Sequence, residues 1–208
     1  MSLPKPYYED NHGVLYHGDC LEIMKELSAK SVDLVLTDPP YRNEEENQPT
    51  MDMRKNGGMK GFGNELNISQ FIELIRVAKN QIIWGANNFE FLPSFKGFLV
   101  WEKYIPEDFT MSMAEIAYIS EGLGTISKVF KVASNSEKRY HPTQKPLALM
   151  RWCIEKYSKP TATILDPFAG SGTTLRAAKD LGRKYIGIEI SEKYCEIAVK
   201  RLGQEVLF

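Results

Sequence analysis

Asp38-Pro39-Pro40-Tyr41 puts an acceptor, two rigid residues and an aromatic ring into four consecutive positions. The residues before it, Val32 to Leu36, are almost continuously apolar, as in a strand buried on both faces of a parallel sheet. Proline cannot donate to a strand ladder and fixes φ, so the chain must leave the sheet at Pro39 in a stiff turn. A carboxylate and a flat ring are thereby presented at a strand's carboxyl end, where open α/β sheets place their ligands. Taken alone, these letters also describe a strand that ends in a proline turn with a capping aspartate.

A second constellation adds chemistry. Thr161 to Thr174 reads Thr-Ala-Thr-Ile-Leu-Asp-Pro-Phe-Ala-Gly-Ser-Gly-Thr-Thr. Ile164-Leu165 is a short strand, Asp166 ends it, and Gly170-Ser171-Gly172 is a tight turn opening a helix that runs to about Leu181. Amides at a helix start receive an anion or a polar ligand, and glycine lets backbone approach closely. Lys184 to Glu189 is a further strand ending in a carboxylate, placed to accept hydrogen bonds from ribose hydroxyls. A dinucleotide fingerprint needs a third glycine where this chain has Leu175, which weakens a nicotinamide or flavin reading.

The elements that must hold these groups follow from periodicity. Gly13–His17 is a strand, a helix follows from about Leu21 to Leu27, and the strand before Asp38 completes a parallel crossover unit. Ile68, Phe71, Ile72, Ile75 and Ala78 recur at helical spacing and predict an amphipathic helix over Ile68–Lys79. Gln81–Trp84, Gly97–Trp101 and Glu115–Ser120 read as strands, and Ser127–Lys131 as a short strand. Trp84 and Trp101 are expected in the core. A helix after Pro146 carries Leu147, Met150, Ile154 and Tyr157. The final helix, Ser191 to about Gln204, turns Tyr194, Cys195, Ala198 and Leu202 to one face. Periodicity vanishes over Arg42–Leu66 and weakens over Glu102–Phe109 and Glu121–Tyr140. An irregular stretch directly after the proline turn suits a flap. The expectation is one domain, 1–208, with a flap at 42–64 and a target-recognition segment at 102–140 embedded in it.

Composition narrows the partners. With 26 Lys+Arg against 27 Asp+Glu, no global basic field is present, so nucleic-acid binding would need a local stripe such as Arg54, Lys55 and Lys60, or Lys138 and Arg139. Cys20, Cys153 and Cys195 lack metal-ligand spacing, so no metal is expected and buried thiols in a reducing cytoplasm are. The polar, proline-containing start is unlike a secretory leader, and no apolar run approaches a membrane span.

Asp38-Pro39-Pro40-Tyr41 resembles the catalytic motif of amino-methyltransferases, and Asp166 to Thr174 closely resembles the S-adenosyl-L-methionine loop of the DNA enzymes among them. His141-Pro142-Thr143-Gln144-Lys145-Pro146 is similar to the segment that precedes that loop and closes over the methionine end of the cofactor. With the catalytic motif first and the cofactor loop last, the order resembles the β group of DNA amino-methyltransferases, over about Val14 to Leu202. The resemblance implies a doubly wound, mostly parallel seven-stranded α/β methyltransferase sheet with permuted strand order and an antiparallel edge. It implies that Asp38 and the Pro39 carbonyl hold an exocyclic amine, with Pro40 stiffening the turn and Tyr41 stacking on a flipped base. It further implies cofactor contacts from Asp19, Cys20, Asp38, His141, Thr143, Lys145 (toward the methionine carboxylate), Asp166, Pro167, Phe168, Gly170, Ser171, Gly172, Thr173 and Glu189. The implied partner is double-stranded DNA, bound by one copy or by a homodimer. Adenine N6 is favoured as the target because N4-cytosine relatives more often carry serine in place of Asp38. Cytosine C5 transfer would need a covalent thiolate beside the turn, and no cysteine is there. A non-catalytic cofactor- or DNA-binding subunit is the alternative from another class.

Overall fold

The computed structural model describes residues 2–40, 66–136, 140 and 144–204. Tyr41, the 42–64 flap, His141 and Thr143 lie outside the described residues. Five strands run parallel: β2 (Gly13–His17), β3 (Val32–Thr37), β4 (Ala78–Trp84), β8 (Thr163–Asp166) and β9 (Lys184–Glu189). Their near-continuous apolar runs fit burial on both faces: Leu34, Val35, Leu36, Ile82, Ile83, Ile164 and Leu165 are all fully buried. β6 (Ala114–Ile119) pairs antiparallel with β4, and β5 (Phe98–Glu102) antiparallel with β6.

The order across the sheet is β1-β2-β9-β8-β3-β4-β6-β5-β7. The seven strands β2 to β5 are those expected. β7 (Lys128–Lys131), the short strand read at Ser127–Lys131, extends one edge and an unforeseen two-residue β1 (Tyr8–Glu9) the other, giving nine among the described residues. The two strands at the centre of the parallel run, β8 and β9, come last in the chain. β8 consequently lies directly beside β3, with Leu34 opposite Ile164 and Val35 opposite Leu165.

Helices cover both faces. α1 (Cys20–Lys25) and α2 (Ile68–Val77) close one core with Phe71, Leu74 and Val35. α3 (Leu147–Tyr157), α4 (Thr173–Asp180) and α5 (Glu192–Leu202) close the other with Trp84, Trp101 and Leu36. The expected Trp84 and Trp101 core placement holds, and all three cysteines are buried thiols. α2 ends two residues early and its buried side differs from the sequence reading. Phe71, Leu74 and Val77 are buried, whereas Ile68, Ile72 and Ile75 are 58%, 57% and 40% exposed. Both stripes have helical spacing, so periodicity alone could not choose. Arg76 does: its guanidinium donates to the Leu27 and Met24 carbonyls at 2.8 and 2.6 Å, caps the chain leaving α1, and fixes the rotation of α2.

Asp10, in the β1–β2 turn, accepts from the His12 and Gly13 amides at 2.8 and 3.1 Å and from Lys179 of α4 at 2.7 Å. Burial alone would raise its pKa, but the Lys179 and His12 hydrogen bonds outweigh it and bring the carboxyl down to about 2. A folded-state pKa below the unfolded one gives stability that is present above pH 4 and lost as pH falls through 2. Asp10→Asn is therefore expected to lower Tm at pH 7, with the difference from wild type shrinking between pH 4 and pH 2 in thermal unfolding followed by circular dichroism.

Candidate active site

The carboxyl ends of β2, β9, β8 and β3 lie side by side, and each delivers an acidic residue. Asp19 follows β2, Glu189 ends β9, Asp166 ends β8 and Asp38 follows β3. From β8 the chain passes through α4 to β9 on one side, and from β3 through α2 to β4 on the other. The crevice between β8 and β3 is thus the topological switch point, where doubly wound sheets bind ligands.

On the β8 side the glycine corner is shaped by two demands. Gly170 and Gly172 have φ of +50° and +77°, in the left-handed region. A Cβ at Gly172 would also stand 2.8 Å from that of Ala198 on α5. Glu189 fastens the corner: one carboxylate oxygen accepts from the Gly170 amide at 2.7 Å, the other from the Ser191 amide at 2.9 Å. Burial pushes the Glu189 carboxyl up while these amides oppose the rise. Each oxygen has a second lone pair with which to meet a ligand hydroxyl.

Ser171 and Thr173 are tied down from behind. Arg201 of α5 donates to the Ser171 carbonyl, the Ser171 hydroxyl and the Thr173 hydroxyl at 2.9, 3.0 and 2.9 Å, and Ser171 donates to the Gln144 side chain at 3.1 Å. Pro167 is buried and Phe168 half-buried beside Ile188. Asp19 caps α1, accepting from the Leu21 amide at 2.7 Å, and its side chain is exposed. The Cys20 thiol is buried and accepts from the Gln70 side chain at 3.4 Å, and burial with the nearby Asp19 pushes it up to about 12, so it is a poor nucleophile.

The two motifs are bonded to each other. The Thr37 hydroxyl, one residue before Asp38, donates to Asp166 at 2.7 Å across the β3–β8 boundary. The Phe168 amide donates to the same oxygen at 3.2 Å. Burial pushes the Asp166 carboxyl up to about 6, against the pull of the Thr174 and Thr37 hydroxyls.

Asp38 itself sits in a buried ionic chain. Its Oδ2 is 2.6 Å from the Lys145 ammonium, which is 4% exposed and lies 2.9 Å from Glu115 Oε2 on β6. The other Glu115 oxygen is paired with Lys103. Lys103 and Lys145 lie 5.0 and 6.0 Å from the centre of the Trp101 ring. Asp38 Oδ1, by contrast, is shielded from water and has no hydrogen-bond partner among the described residues. A buried acceptor left empty is costly unless a ligand donor completes it. Burial raises the Asp38 pKa, Lys145 opposes the rise and Glu115 adds to it.

The residues named from the sequence are thus brought together along one edge, apart from Tyr41, His141 and Thr143, which are outside the described residues. Lys145, expected at a methionine carboxylate, is instead engaged with Asp38 and Glu115. Thr37, Lys103, Glu115, Gln144 and Arg201 were not foreseen. Glu115 is 77 positions from Asp38 in sequence, and no spacing rule joins them.

A doubly wound sheet with an acceptor-bearing proline turn and a glycine corner meeting at its switch point defines an amino-methyltransferase architecture. Residues 80–200 match the DNA methylase family of N6 and N4 methyltransferases, and the chain belongs to that family. It is similar to the type II methyltransferase M2.LlaDCHI of Lactococcus lactis subsp. cremoris, at 29% identity over 97% of this chain and 93% of the relative. Among solved structures, the M1.HpyAVI–SAM complex is 27% identical, with a TM-score of 0.62 over 91% of this chain and 98% of that one. The cytosine-N4-specific PvuII DNA methyltransferase shares the fold at 16% identity, with a TM-score of 0.69 over 98% of this chain and 91% of that one.

The glycine corner gives a direct test. Gly172→Ala adds a Cβ both at a left-handed φ and against Ala198, so it is expected to destabilise the chain by about 1–3 kcal/mol. Urea unfolding would read the change as a lower midpoint.

Proposed function

We propose that this chain methylates the N6 amine of an adenine flipped out of double-stranded DNA. The broader statement needs no proposal: it is an S-adenosylmethionine-dependent DNA amino-methyltransferase. What supports the finer reading is Asp38 itself, a position where N4-cytosine relatives more often carry serine; its Oδ1 is a buried acceptor with no donor among the described residues, one strand away from the glycine corner.

The cofactor suits the residues present. The Asp166–Thr173 corner offers glycine backbone, Glu189 offers lone pairs for ribose hydroxyls, and Asp19 extends the same edge toward an adenine ring. S-adenosylmethionine supplies a methyl made electrophilic by its sulfonium. The protein's part is to make a poor nucleophile serviceable. An adenine amine delocalises its lone pair into the ring. Acceptors at Asp38 Oδ1 and the Pro39 carbonyl would hold its two N–H groups and turn the lone pair out of the ring plane. Two prolines keep those acceptors from moving, so the gain comes from orientation and preorganised electrostatics. Asp38 also stabilises the positive charge that the nitrogen gains as it accepts the methyl, before it loses its proton. Tyr41 is assigned the stacking role on the extruded base.

The domain organisation expected from sequence belongs to this reading, with 42–64 as the flap and 102–140 as the target-recognition segment. The β5–β6 connection supports it. It leaves the sheet at the same end as Asp38 and exposes Tyr104, Phe109, Met111 and Met113, apolar side chains suited to unstacked bases. Among the described residues, no helix is long and apolar enough to cross a membrane.

N4 of cytosine is the second reading, because the amine chemistry is the same and a structural relative acts there. Nucleoside mass spectrometry of DNA treated with the protein and S-adenosylmethionine is expected to show N6-methyladenine. N4-methylcytosine would replace the first reading by the second, and no methylated base would favour a binding subunit. Asp38→Ala is expected to reduce transfer by at least about a thousandfold while calorimetry shows nearly unchanged cofactor binding. Parallel loss of both would remove Asp38 from its assigned place.

A further inference from the structure

With Asp38 taken as the acceptor for the target amine, a second acid acquires a role in the same reaction. Glu115, the second residue of β6, lies directly opposite Trp101 of β5, and Lys103 is two residues beyond Trp101 in the chain. The antiparallel edge therefore delivers an acid, a ring and a cation beneath Lys145. Charges alternate along the resulting line: Asp38, Lys145, Glu115, Lys103. Among the described residues, the other titratable group facing Asp38 is Asp166, behind the Thr37 hydroxyl.

The alternation matters because a buried ammonium 2.6 Å from a carboxylate draws electron density strongly toward itself. An Asp38 fully matched by Lys145 would be a weak acceptor for an amine N–H. It would also stabilise less of the positive charge that appears on nitrogen as the N–C bond forms, the S–C bond breaks and its electron pair leaves with sulfur. We propose that Glu115 is a positioning residue for methyl transfer: it shares the Lys145 ammonium, which keeps Asp38 an electron-rich acceptor, and Lys103 limits the share it takes. The directions of titration agree. Burial raises Glu115, but Lys145 and Lys103 outweigh it and hold its carboxyl below the usual range, whereas Asp38 stands above its own. Lys145 lies 2.6 Å from Asp38 and 2.9 Å from Glu115, so its ammonium is divided between the two carboxylates and not given over to either.

A purely architectural role would lower Tm and leave the chemistry of Asp38 alone, so the test reads that chemistry. Single-turnover methyl transfer to duplex DNA is measured against pH for wild type, E115Q, K103Q and D38N. Cofactor and DNA dissociation constants and thermal unfolding are measured beside it. Transfer needs ionised Asp38, so the wild-type rate falls on the acid side. In E115Q, Lys145 is undivided. The acid limb should move to lower pH and the plateau rate fall about tenfold, with both dissociation constants within about threefold of wild type. In K103Q, Glu115 claims more of Lys145, and the acid limb should move to higher pH. This opposite sign keeps the proposal testable even if E115Q does not fold. Limbs that stay in place in both variants, or move the same way, overturn it. D38N separates the two levels: loss of transfer keeps Asp38 as acceptor whatever Glu115 does, whereas normal transfer by D38N would sink the reading beneath.

Discussion

One hydrogen bond ties the reaction to the fold. Thr37 donates to Asp166 across neighbouring strands, and both groups are buried, so neither has water as an alternative. The bond exists because β8, which comes late in the chain, is inserted beside β3. That placement fixes the distance between the proline turn after β3 and the glycine corner after β8. A reaction between two bound molecules depends on such a spacing more than on any single group. The cost appears at Asp166, whose carboxyl is held in a place that resists its ionisation.

Around that link the site is over-determined on the cofactor side. Glu189 holds the glycine corner from the front, Arg201 from behind, and Ala198 fills the space a side chain on Gly172 would need. The amine side is organised differently, around charge. Lys145 is nearly inaccessible to water, so its affinity is settled by which carboxylates surround it, not by solvent.

Much of this was readable in the letters because strand ends announce themselves. An apolar run that stops at Asp38-Pro39-Pro40, or at Asp166 before glycines, fixes where the chain must turn, and β9 was bounded at the residues observed. The individual strands followed from such runs, while their number in one sheet and its antiparallel edge came from the family resemblance. What could not be read depends on register and rotation. Glu115 reaches Lys145 only because β6 runs antiparallel beside β4 and its first residues project beyond the level of Thr37, which lines up through Ile83 with Tyr118. Arg201 reaches Ser171 only because α5 packs tightly on the corner. The face of α2 was undetermined for a related reason, since two isoleucine- and leucine-bearing stripes compete and a distant arginine decides.

The Leu66 amide donates to the Pro40 carbonyl at 3.4 Å, so the sheet is stitched shut on either side of the twenty-five residues between them. Loop closure grows only logarithmically, and doubling the chain length between two such fixed points would cost about 0.6 kcal/mol in chain entropy. The scaffold on either side, held by its own hydrogen bonds, is therefore nearly indifferent to how much chain is spliced in between Pro40 and Leu66.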